Sequence, residues 1–380
     1  YIIFISLTAH FAAVINVHEH FAAGAFAPAI LNLSFILSLF FLTPYVTTAG
    51  HALSYGVLIG GVLQFLYLYR AVLNFYRPRI RIPVFNEKVK KFFTLFLPGV
   101  IGSGVIQLNI VIGTIIASFL PIGAISHIYY ADRLNQLPLA LFGIALGIVL
   151  LPSLSKAIKQ LDTEKAYNIQ NRSIEFSLLI SLPSSIGLYI LAEPIIHTLF
   201  ERGAFLEEDT FYTSKVLGYF ALGLPAYILI KVLVACYFAR EDTKTPLYIS
   251  IISVICNVAL SLLLIGSMRE MGIALATAIS AWVNTLLLCF FLLTRNHMNF
   301  DNKLIKNSIK ILISSLIFFA ILKGFDGILF GDIGEKSLFF NLILLPTVIF
   351  LAIIMYLGIV IVLRVLSINQ LREYLEKLKW

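Results

Sequence analysis

LPGVIGSGVIQLNIVIGTIIASFL, residues 97–120, holds no charged side chain and exceeds the ~20 residues a helix needs to cross ~30 Å of hydrocarbon. Its small residues let helix backbones approach closely, and its amides, Gln107 and Asn109, read first as hydrogen-bonding groups between helices. Apolar runs of the same kind recur on both sides, at about 1–16, 26–43, 51–75, 92–119, 124–153, 174–199, 212–238, 246–267, 271–294, 307–329 and 337–366. The expected fold is all-α: a polytopic membrane protein with about eleven transmembrane helices.

Composition agrees. Of 380 residues, 59% are hydrophobic and 13% are charged, against roughly 25% charged in a soluble domain. No sizeable soluble domain is left over. The net charge of +8 sits in the loops between apolar runs, as in cytoplasmic loops of membrane proteins, which argues against nucleic acid as a partner. Cys236, Cys256 and Cys289 fall inside apolar runs without CxxC spacing and read as small core residues. No metal site is expected, because no two histidines share one helix at ligand spacing. His10 falls in the first run, and the other histidines lie near span ends, where an interfacial place is expected.

Counting Lys and Arg in alternate connections gives 21 on one side and five on the other. The positive-inside rule then places the C-terminus in the cytoplasm and Tyr1 outside. An outside start with no signal sequence predicts an odd number of further spans upstream, most simply three, making fourteen. The expected organisation is three helices over 1–75, a basic cytoplasmic linker over 76–91, six helices over 92–294 and two more over 307–366. NQLREYLEKLKW closes the chain, giving an amphipathic interfacial tail over 367–380. An internal repeat is also expected: Asn16, Pro28, Asn32, Gly56 and Gln64 recur in plan as Phe238, Pro246, Asn257, Ala276 and Asn284. Such symmetry is common in transporters, with substrate sites between the repeats.

Two basic residues, Arg133 and Lys231, lie inside apolar runs. A cation at a span centre costs ~2.5–3.5 kcal/mol on insertion scales and usually faces a cavity or a partner. Arg133 follows Asp132 in AISHIYYADRLNQLPLALFGIALGIVLLP, where Tyr129, Asn135 and Gln136 extend a polar stripe and Pro138 invites a kink. One reading is the anion-binding wall of a water-filled cavity, since a guanidinium holds two phosphate oxygens at once. The other is an ion pair with Asp132 or another acid that locks helices together. Lys231 lines the same cavity or snorkels to the inner surface. Glu193, before Pro194, is a secondary candidate near an outer end. A membrane enzyme acting on polyprenyl phosphates would need paired acids to hold Mg²⁺. Asp132 reads as the one deep carboxylate, so no catalytic residues are expected.

ASFLPIGAISHIYYADRLNQLPLALFGIALGIVLLPSLSK at 117–156 resembles the signature of the MurJ (MviN) lipid II flippase family. FAAGAFAPAILNLS at 21–34, LFERGAF at 199–205, and LGLPAYILIKVL and YFAREDTKTP within 222–246 extend the resemblance along the chain. It implies the multidrug/oligosaccharidyl-lipid/polysaccharide exporter fold: two pseudo-symmetric six-helix lobes and an extra helix pair that, with the second lobe, forms a groove for a polyprenyl tail. The implied function is alternating-access flipping of lipid II, an undecaprenyl-diphosphate-linked saccharide peptide, across the bacterial inner membrane. Arg133 matches the family's cavity arginine for the diphosphate, with Asp132, Lys231, Gln107 and Asn109 as further lining. Export of drugs or of another polyprenyl-linked oligosaccharide is the alternative on this fold. The partners implied are lipid II and membrane lipids. No bound cofactor is expected; an ion gradient or the membrane potential would drive the cycle. The resemblance implies further cavity arginines on the family's first two spans, which are expected upstream of Tyr1. At positions where some members hold sodium-binding acids this chain has Gly113, Asn257 and Ser261.

Overall fold

The computed structural model describes residues 1–18, 20–75, 77, 87–330 and 338–365. Within hydrocarbon no water satisfies the backbone, so each segment must close its own N–H···O=C bonds, and the apolar runs become helices. The chain divides into two compact units, Tyr1–Phe92 and Phe93–Trp380. The tail expected over 367–380 and most of the linker lie outside the described residues.

The first unit contains α1 (Ile2–Val17), α2 (Phe21–Leu42) and α3 (Ala49–Val72). Both α1 and α2 pack against α3. A Cβ on Gly60 would come within 2.7 Å of Leu31, and one on Gly56 within 2.9 Å of Ser38, so these glycines set the close α2–α3 approach. Buried Gln64 donates across that contact to the Ala27 carbonyl at 2.7 Å. Thr48 begins α3 by accepting from the His51 N–H, filling one of the bonds a helix start lacks.

The second unit takes in most of α4 (Glu87–Ala117) and then α5 (Ala124–Pro138), a π-helical turn (Leu139–Ile144) and α6 (Ala145–Lys159). There follow α7 (Thr163–Ile190), α8 (Ala192–Phe200), α9 (Glu207–Phe238), α10 (Lys244–Met268), α11 (Glu270–Thr294), α12 (Asn302–Phe330) and α13 (Leu338–Val362). The axis of this unit is α9, buried along its length and flanked by α5, α7 and α11. One apolar core packs Val216, Leu217 and Phe220 of α9 with residues of α5, α7, α8, α12 and α13. A second, around Val232, Cys236 and Tyr237, takes in α6, α7 and α11. Side-chain bonds reinforce the α9–α11 contact: Tyr237 donates to Leu288 O at 2.8 Å and Trp282 to Leu222 O at 3.0 Å.

All eleven apolar runs fall on helices, yet two of them are not single helices. The run at 124–153 is broken by the π turn that begins directly after Pro138, whose missing N–H disrupts the regular ladder. The run at 174–199 is broken at Leu191, and α8 restarts with Pro194 in its first turn, where a missing N–H leaves no helical bond unmade. Among the described residues, eight helices have the length and hydropathy to cross a bilayer, and α1 is a shorter apolar helix. Large apolar side chains such as Phe40, Leu263, Leu316 and Phe350 are exposed, as a lipid-facing surface requires.

The two stretches read as a repeat have parallel internal plans. Within α1–α3 and within α9–α11, the second helix lies along the third, and the first packs on the third.

Candidate functional site

Three of the five candidate residues lie on α5 and α9, Asp132 and Arg133 on the first and Lys231 on the second, with the π turn beside them. On α5, residues 124, 127, 131, 134 and 135 are buried, while Tyr129, Arg133 and Leu137 stand on the open face at helical spacing. Arg133 is exposed, with its guanidinium 4.6 Å from the centre of the Tyr129 ring. A cation over an aromatic face is held by the ring quadrupole, leaving its N–H donors free. Among the described residues Arg133 makes no ion pair, so the lock with Asp132 does not form. Asp132 instead accepts a bond from Gln136, one turn along the helix. Asn135 departs from the expected stripe: it is buried on the opposite side, with its amide oxygen unpartnered among the described residues.

Facing α5, α9 carries Tyr227, whose buried hydroxyl has no hydrogen-bond partner among the described residues, and, one turn further on, exposed Lys231. The stem of Lys231 passes the π turn, where a Cβ on Gly143 would lie 3.7 Å from Lys231 Cγ. The α5–α9 side therefore presents a guanidinium and an ammonium that make no ion pair among the described residues, and a carboxylate engaged by an amide, which suits a dianionic ligand. Gln107 is exposed and Asn109 half-buried on α4. Among the described residues no hydrogen bond ties either one to Arg133, Asp132 or Lys231.

At Gly113, Asn257 and Ser261, which the resemblance matches to sodium-binding positions, no side chain is acidic. Ser261 donates to Asn257 at 3.0 Å, Asn257 reaches Thr277 at 3.4 Å, and Gly113 has open space where a side chain would be. Among the described residues no set of three or more His, Cys, Asp and Glu is placed to hold a metal.

Sequence reasoning missed a polar cluster at the helix starts of this unit. His127 was expected at an interface but is only 4% exposed. Its Nδ1 lies 3.0 Å from Glu270 Oε1 and its Nε2 2.9 Å from Asp209 Oδ1. Glu270, at 0% exposure, is a buried carboxylate at a helix start, whereas Asp132 lies further along its helix. The three residues are far apart in sequence, and the only local signal is that each lies near the start of its helix.

Residues 1–344 match the family model for the lipid II flippase MurJ. The chain belongs to the MurJ family. It is 42% identical over 322 residues to a probable lipid II flippase MurJ of Rhizobium tropici, covering 83% of this chain and 60% of the relative. With that of Rickettsia prowazekii it shares 40% identity over 288 residues, 75% of this chain and 56% of the relative. It thus spans about 60% of the length of such relatives. A solved lipid II flippase MurJ in an inward closed conformation superposes with a TM-score of 0.76 at 29% identity, over 94% of this chain and 71% of that one. An inward-facing multidrug MATE transporter matches at a TM-score of 0.66 and 13% identity, over 77% of this chain and 68% of that one, a likeness of fold alone.

Proposed function

We propose that the protein works as a lipid II flippase of the bacterial inner membrane, a transporter and not an enzyme, with its C-terminus in the cytoplasm. Membership of the MurJ family supports the substrate class, and the exposed guanidinium of Arg133, without an ion pair among the described residues, is the observation that carries the site. A buried or membrane-embedded cation persists where an anion compensates it. The lipid-linked diphosphate supplies that anion: Arg133 donates to two phosphate oxygens, and Lys231 adds a second, less directional charge. Asp132 accepts from Gln136 and not from Arg133, while Gln107 and Asn109 are weaker lining residues. Alternating access exposes Arg133 first to one membrane face and then to the other while the polyprenyl chain stays in lipid. An ion gradient or the membrane potential drives the cycle.

Binding of lipid II to the protein in nanodiscs tests this assignment. Arg133→Ala is expected to weaken binding about tenfold or more, because charge-assisted hydrogen bonds contribute ~1.5–3 kcal/mol. Lys231→Ala has the smaller effect. Unchanged affinity in Arg133→Ala would remove the assigned role. Tighter binding of an organic cation than of lipid II would favour a drug exporter instead.

A further inference from the structure

The His127 cluster joins three helices that the chain brings together from distant positions. His127 lies in the first turn of α5, Asp209 in that of α9, and Glu270 is the first residue of α11. Gly123, with φ at +103°, turns the chain into α5 beneath the imidazole, where a Cβ would sit 3.2 Å from ring atoms. The Tyr212 ring of α9 stacks on the imidazole, with centroids 5.7 Å apart. Arg269, between α10 and α11, donates to the Tyr212 hydroxyl at 2.8 Å and places its Nε 3.4 Å from Glu270 Oε2. Asp209 Oδ2 accepts from the Leu206 N–H at 2.8 Å, leaving Oδ1 for the histidine. Beyond the first turn of α9, Glu201 accepts from Thr210 and lies 3.5 Å from His197.

Both ring nitrogens of His127 thus face carboxylate oxygens. A neutral imidazole has one N–H and one lone pair, so one of the two contacts would set a lone pair against a carboxylate. Only the doubly protonated ring donates to both. In that state His127 and Arg269 balance Asp209 and Glu270, and the cluster is neutral. Removing one proton leaves the cluster with one excess negative charge: Glu270, which has no exposed surface, then keeps as ion pair only the 3.4 Å contact to Arg269, and among the described residues its Oε2 has no hydrogen-bond partner. Asp209, whose side chain is 31% exposed, is the way out to water.

We propose that His127, Asp209 and Glu270 form a proton-binding site whose bound proton fastens the starts of α5, α9 and α11, and thereby holds the helix that presents Arg133. When the ring N–H bond breaks, the proton passes to water on the Asp209 side, the ring keeps the electron pair, and α5 is released from its neighbours. The link to Arg133 rests on the flippase reading; the proton site does not. His127 is in this sense a positioning residue that acts through Arg133.

Spin labels at Ile125→Cys on α5 and Phe211→Cys on α9, both exposed, report the clasp in nanodiscs without any substrate. A single narrow distance is expected at neutral pH, broadening and lengthening at alkaline pH. In the His127→Gln background the broad distribution is expected at every pH. Should that variant fail to fold, Asp209→Asn retains the Glu270 contact and is expected to release at a lower pH than the parent. A distance that does not respond to pH, or responds identically in parent and variants, overturns the proton site. Lipid II translocation by the same proteins in proteoliposomes tests the consequence: the parent loses rate at alkaline pH, and His127→Gln is slow and flat across that range. A pH-responsive distance with identical translocation profiles overturns the link to Arg133. Absence of translocation by the parent at any pH overturns the flippase reading and leaves the distance measurement to decide the proton site.

Discussion

Ser185 on α7 donates its hydroxyl to the carbonyl of Ala221 on α9 at 2.6 Å. That carbonyl lies four residues before Pro225, which has no N–H to return to it. In a medium without water the orphaned acceptor needs a partner, and the neighbouring helix supplies one. This contact explains how the central helix of the second unit runs unbroken through a proline.

Ser185→Ala should therefore destabilise the protein by about 1–2 kcal/mol, the cost of leaving a buried carbonyl unsatisfied. In a Pro225→Ala background, where the helix closes its own bond, the same change should be nearly neutral. A double-mutant cycle on denaturant unfolding in mixed micelles reads the difference. Equal effects in both backgrounds would show that the serine serves some other contact.

At the opposite end from the His127 cluster, Arg172 on α7 donates to both carboxylate oxygens of Asp301, at 2.7 and 2.5 Å, just before α12. Partial burial opposes ionisation of Asp301. The Leu304 N–H and the Arg172 guanidinium outweigh it and hold the carboxyl below the ordinary carboxylate range. A carboxyl whose folded value is depressed stabilises fully above its unfolded value and loses that contribution as pH falls through the folded one. Thermal stability should therefore drop under acid conditions, by less in Asp301→Asn than in the parent. Because the Asp301 side chain is 41% exposed, the difference should stay within about 1 kcal/mol. Parallel acid profiles for parent and variant would exclude the pair as the cause.

Gly272 allows the tight return from α10 into α11, where a Cβ would stand 2.9 Å from the Leu264 carbonyl oxygen and 3.0 Å from its carbon. Backbone cannot swing aside as a side-chain tip can. Gly272→Ala should cost about 1–3 kcal/mol through overpacking and should disturb the neighbouring Glu270. The melting temperature in nanodiscs measures the first effect. A variant as stable as the parent would mean that the two helices separate without penalty.

The helices were legible because hydrocarbon imposes one requirement on every apolar run, and length with hydropathy reports it. Their interruptions were less so. Pro138 and Pro194 coincide with breaks, whereas Pro183 and Pro225 lie inside continuous α7 and α9. For Pro225 the difference is made by Ser185, which belongs to another helix and has no sequence signature. Arg133 stood out because a lone cation in an apolar run is costly wherever it points. Its orientation, over Tyr129 and away from Asn135, depends on which face of α5 meets α9. His127, Asp209 and Glu270 each looked ordinary near a helix start. Their meaning lies in the packing that brings three such starts together.

In the proposed function, the exposed guanidinium of Arg133 carries the lipid-linked diphosphate. Lipid II translocation by the purified protein in proteoliposomes, parent against Arg133→Ala, tests it most directly. Loss of translocation is expected in the alanine variant, with partial retention in Arg133→Lys, which keeps the charge but not the two-pronged geometry. Translocation at the parental rate by Arg133→Ala would contradict it.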